Sequence, residues 1–174
     1  SACNASATPR PTNTTTASGT PAVPAETTVP ATAWPTITTA CPVTMPNGNH
    51  PPGEAPHPSH YGNGKLWTAL WPEGKFIVSY RGWIQPDGRI AIKWPWWRAL
   101  DAAGPLTVTG RRLDAEAPPL EAIIPSGYGR AGFQVTGLIF STPGCWEVTG
   151  HAAGYELTFV TEVIVPPELT GGGG

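Results

Sequence analysis

The sequence predicts an all-β protein built as a two-sheet sandwich, and three observations carry that prediction. From Tyr61 onward, short runs of β-branched and aromatic residues alternate with Gly and Pro turn signals. No window carries apolar residues at helical spacing for three turns. Once the N-terminal tract is set aside, about 105 to 125 residues remain, the usual size of one domain with a single core. A small closed barrel is the alternative architecture.

Strands are expected over 65–71, 75–80, 89–94, 106–112, 133–140, 145–149 and 156–165. The turns between them have their own chemistry: Pro72-Glu73-Gly74, Pro86-Asp87-Gly88 and Ala152-Ala153-Gly154 each place Gly where a positive φ carries little strain. Pro95 lacks an amide hydrogen, so the third strand is expected to stop at residue 94. The last two strands are the clearest. Cys145 and Glu147 fall on one face and Trp146 and Val148 on the other, after which Leu157, Phe159, Thr161, Val163 and Val165 alternate with Glu156, Thr158, Val160, Glu162 and Ile164. A Pro143-Gly144 corner leading into a strand, a hairpin and a long final strand resembles the end of an immunoglobulin-like sandwich. The fold expected is therefore a single immunoglobulin-like β-sandwich of about seven strands, without the cysteine and tryptophan spacing of antibody domains.

Ahead of the sandwich the composition changes. Between Asn4 and Ala40, twelve Thr, eight Ala and six Pro make up 26 of 37 residues, with Arg10 and Glu26 the only charges. Such a tract buries too little apolar surface to offset its ordering entropy, which predicts a disordered tether reaching about 35 Å as a coil. Ser1-Ala2-Cys3 matches the small residues and the thiol at the processing site of a bacterial lipoprotein, which makes Cys3 the candidate lipidation site. Residues 42–60, with six Pro and three His, suit neither a helix interior nor a central strand and read as an irregular strap. The organisation expected is a lipid-anchored tether over 1–40, the strap over 41–60, the sandwich over 61–165 and a flexible tail over 166–174.

Charge and cysteine usage bound the function. Residues 61–165 carry nine basic and nine acidic side chains with no basic run, which argues against nucleic acid as a partner. With Cys3 lipidated, Cys41 and Cys145 are left to pair as a disulfide outside the cytoplasm, the alternative being two free thiols. The location expected is extracytoplasmic, anchored to the cell membrane by lipid.

Eight tryptophans are present, and Trp83, Trp94, Trp96 and Trp97 fall within fifteen positions. Trp94, Trp96, Trp97 and Arg98, with Tyr128 between two glycines, form the candidate binding surface. They read either as a stacking platform for a glycan or protein partner, or as core filling with a stacked cation. Arg111, Arg112, Asp114 and Glu116 read as a surface ion-pair network. His50, His57 and His60 match no closed zinc pattern, and no nucleophile, phosphate-loop or CxxC motif occurs, so neither a metal, a cofactor nor a catalytic residue is expected.

Taken together, Gly62-Asn63-Gly64-Lys65-Leu66-Trp67, Lys93-Trp94-Pro95-Trp96-Trp97-Arg98, Gly110-Arg111-Arg112-Leu113-Asp114, Gly127-Tyr128-Gly129, Gly132-Phe133-Gln134 and Gly144-Cys145-Trp146-Glu147-Val148-Thr149-Gly150 resemble a family of uncharacterised bacterial lipoproteins. The resemblance covers about residues 41–165 and implies export and a single domain, with no activity to carry over. The function expected is a cell-surface lipoprotein carrying a non-catalytic binding or accessory module, attached to the membrane by its N-terminal lipid and meeting a protein or glycan there. A small docked subunit of a membrane complex is the alternative, followed by an envelope enzyme acting on wall polymers.

Overall fold

The computed structural model describes residues 40–170. The chain divides into units 1–37 and 38–174, and the described residues belong to the second. Cys3 with its expected lipid, the Thr/Pro/Ala tract up to residue 39 and the last four glycines lie outside the described residues.

The described residues form an open two-sheet sandwich of nine strands: β1 (His60–Gly62), β2 (Leu66–Ala69), β3 (Lys75–Ile77), β4 (Ile90–Arg98), β5 (Thr107–Arg112), β6 (Glu121–Ile123), β7 (Gly132–Phe140), β8 (Gly144–Ala152) and β9 (Tyr155–Ile164). One sheet has the order β1-β2-β4-β7-β6 and the other β3-β9-β8-β5. All neighbouring strands run antiparallel except β3, which pairs parallel to β9 through Phe76 and Val163. A short helix, α1 (Pro167–Thr170), follows the last strand.

Nine strands stand where about seven were expected. The additions, β1 and β6, are three residues each and lie on the two edges of the larger sheet. Each borders a Pro-rich stretch and is too short for an alternation of its own, so only pairing with β2 or β7 identifies it. The end of β4 is a correction. The strand runs through Pro95 to Arg98 as a central strand instead of stopping at residue 94. Pro95 is tolerated because the β2 ladder ends one position earlier, at Thr68 opposite Trp96, and the free Pro95 carbonyl accepts the Thr68 hydroxyl at 2.8 Å.

Alternation decides the core. Ile90, Ile92, Trp94 and Trp96 of β4 point between the sheets and meet Trp146 and Val148 of β8 and Leu157, Phe159 and Val163 of β9. Trp94 stacks on Phe159 with ring centroids 5.3 Å apart, and its indole N–H donates to the Thr68 hydroxyl at 2.9 Å. Thr68 thus accepts from one buried group and donates to another, which is how a polar side chain is accommodated at full burial. At the β8–β9 turn, Ala153 and Gly154 both have positive φ, 49° and 83°, the geometry of a two-residue hairpin whose twist matches its strands.

Cys41 and Cys145 are joined by a disulfide, with Cα atoms 5.5 Å apart and 104 positions between them in sequence. From there the strap crosses the molecule. Thr44 exchanges two hydrogen bonds with Val160 of β9, each 2.9 Å, and Asn47 brackets Gly62 of β1 at 2.8 and 3.1 Å. Asn49 then accepts the Trp67 indole N–H at 2.6 Å. The strap therefore begins on the smaller sheet and ends over the outer face of the larger one.

Candidate functional site

The two outer faces of the sandwich differ in kind. On the smaller sheet, cross-strand neighbours are polar: Thr149 with Thr158 at 2.8 Å, Arg111 with Glu147 at 2.8 Å and His151 with Glu156 at 3.0 Å. That is the solvated face expected of an antiparallel sheet. On the larger sheet the outward positions of β4 are Ala91, Lys93, Pro95 and Trp97, opposite Ile139, Gly137, Val135 and Phe133 of β7. Lys93 is the only charged side chain among these.

A line of rings crosses this apolar face. His60 meets Trp97 edge-on at 5.6 Å, Trp97 lies 5.2 Å from Phe133, and Phe133 lies 6.4 Å from Tyr128. Phe133 is 46% exposed and Tyr128 41%, while Trp97 is half-buried. The strap covers the other end of the line, where His50 and His57 sit 6.3 and 5.7 Å from His60. Burial, reinforced by these two neighbouring imidazoles, holds the His60 side chain below the usual histidine range. Among the described residues no group of three or more His, Cys, Asp or Glu is placed to hold a metal ion.

At the Tyr128 end, the line of rings turns over the rim into a cleft of about 460 Å³ at the open end of the sandwich. Its wall includes Arg98, Leu106, Tyr128, Gly129, Arg130 and Gln134. Arg98 closes the inward face of β4 and is 4% exposed. Its guanidinium donates to the carbonyls of Gly104 and Gly129, the second at 2.7 Å, while Nε has no partner. Among the described residues no carboxylate pairs with it, and burial pushes its affinity for the proton below the usual value for arginine. Arg130 stands exposed at the rim, also without a carboxylate partner among the described residues.

Of the residues expected to form the binding surface, Trp94 and Trp96 are withdrawn from it: they are 1% and 0% exposed and fill the core. Trp97 faces outward from the opposite side of the same strand, because Pro95 does not interrupt the alternation. Arg98 and Tyr128, thirty positions apart in sequence, are brought together at the cleft by pairing of β4 with β7. Phe133, Arg130 and Gln134 belong to the same region and were not among the residues expected to form the binding surface. The signal for Phe133 lies in its phase, since it shares the apolar side of β7 with Val135 and Ile139. Near the far end of β5, Arg112 and Asp114 pair at 2.6 Å, and that guanidinium holds the Asp114 carboxyl below its ordinary value. This is a surface ion pair, worth little to stability.

Fold and site together define a disulfide-linked β-sandwich with one ring-lined outer face and a cationic end cleft. No protein-family model, no curated protein and no solved structure matches the chain.

Proposed function

We propose that the chain is an extracytoplasmic protein, lipid-anchored through Cys3, whose immunoglobulin-like sandwich is a non-catalytic binding module for a glycan or protein partner at the cell surface. The observation that carries this reading is the contrast between the two outer faces: the smaller sheet presents paired polar side chains, the larger one the half-buried ring of Trp97 and the exposed rings of Phe133 and Tyr128. Aromatic side chains half in contact with water are suited to stacking on a ligand, and an apolar face bordered by polar residues marks a contact site. The Cys41–Cys145 bridge supports the location, since disulfides persist in oxidising compartments. The small residues Ser1 and Ala2 ahead of the Cys3 thiol support the anchor. Mass spectrometry of the membrane-extracted protein is expected to find lipid on Cys3, and an unmodified residue there would remove that part of the reading.

The binding test uses Phe133→Ala. Phe133 lies at the start of β7 with half its surface in water, so the change should leave the melting temperature within a few degrees of wild type. Retention on isolated cell envelopes should fall about tenfold or more. Retention unaffected by the change would place binding elsewhere. The stretch of Val135, Ile139 and Ile123 beyond the rings favours a second reading, a subunit docked in a membrane complex. Co-purification from native membranes at fixed stoichiometry would distinguish it.

A further inference from the structure

The end cleft holds an electrostatic imbalance. A guanidinium removed from water is costly unless a carboxylate or several acceptors compensate it. Arg98 is buried, has only two carbonyl oxygens as partners, leaves Nε unsatisfied and has no counter-ion among the described residues. A second cation, Arg130, stands on the same wall, also without a carboxylate partner among the described residues, so among these the cleft carries two positive charges with no anion opposite them. Carboxylates are the natural complement of this pair, because guanidinium donors match their two oxygens. The remaining wall is not that of a simple ion site. Tyr128 lines the cleft and stands edge-on to Phe133, which continues to Trp97 on the open face. A ligand whose acid group enters the cleft would therefore lay the adjoining part of itself across exposed aromatic rings. The cleft volume of about 460 Å³ falls in the range that takes a small ring or two.

We propose that this cleft binds a carboxylate-bearing sugar, a uronate unit of an acidic polysaccharide, with Arg98 and Arg130 holding the carboxylate while Tyr128 and Phe133 receive the sugar ring faces. The assignment rests on the binding-module reading above and names its ligand class. Arg98 also ties the segments around Gly104 and Gly129 together, so its own replacement would confuse folding with recognition. Arg130 is exposed, and its structural contribution is its backbone carbonyl, which accepts from Gly104 at 2.9 Å and survives a side-chain change.

The experiment is isothermal titration calorimetry of the intact chain against a short oligouronate, the matching neutral oligosaccharide and inorganic phosphate. The oligouronate is expected to bind about tenfold or more tightly than the neutral sugar, with affinity falling as salt rises. Arg130→Gln should remove most of that advantage, leaving neutral-sugar binding and melting temperature unchanged, whereas Phe133→Ala should weaken both sugars. Equal affinity for charged and neutral sugar would overturn the uronate assignment and leave the binding-module reading standing. Phosphate binding as tightly as the oligouronate would also overturn it, by showing an anion site indifferent to the ring. If neither sugar binds while the envelope retention of wild type is intact, the assignment alone fails; if sugar binding and envelope retention both fail, the module reading falls with it.

Discussion

Gly150 of β8 lies against the ring of Trp96 of β4 across the core: a Cβ placed on Gly150 would stand 2.4 Å from Cζ3 and 2.7 Å from Cη2 of that indole. One of the three fully buried indoles of the core is seated where the facing strand has no side chain. Gly150→Ala would force Trp96 off its position, and overpacking of this kind costs about 1 to 3 kcal/mol. Denaturant unfolding checks this; a variant as stable as wild type would show that the two strands separate freely at this point.

Thr68 connects Trp94 to Pro95 through its hydroxyl, accepting at 2.9 Å and donating at 2.8 Å. Thr68→Val keeps the shape and removes both bonds, leaving a buried indole N–H and a carbonyl without partners. The expected loss is about 1 to 3 kcal/mol, with Thr68→Ser losing less because the hydroxyl remains. A Thr68→Val variant as stable as wild type would show that the two hydroxyl bonds contribute nothing.

Stability is expected to depend on pH through His60. Its folded value lies below the ordinary histidine value of 6.5 because it is buried, with His57 and His50 lowering it further and Glu54 of the strap opposing them. Trp97, the remaining neighbour, does not titrate. Below about pH 6.5 the unfolded chain binds the proton that the folded chain resists, so stability falls as pH drops through that value towards the lowered folded one. Above it the contribution is constant. Melting curves between pH 8 and 5 should show the decline, and His60→Phe should flatten it; superimposable profiles for the two proteins would exclude His60 as the cause.

Much of the fold was legible because alternation is a local property. The last hairpin, from Trp146 to Val163, places its apolar residues inward as the two-residue period requires, and Cys41 and Cys145 were the two cysteines left to pair. The end of β4 was not legible, since nothing near Pro95 reveals that the β2 ladder has ended beside it. β1 and β6 were hidden for a similar reason: an edge strand of three residues exists only through its partner.

By itself, the sequence determined an all-β chain with one inward face per strand, a Pro-rich strap and a cluster of tryptophans, because composition and period act over a few residues. Only the tertiary structure decided which tryptophans face water and that Arg98, Tyr128 and Arg130 share a cleft. Those outcomes depend on register: the pairing of Arg98 with Gly132 and of Trp97 with Phe133 brings together residues more than thirty positions apart, and no local preference encodes it.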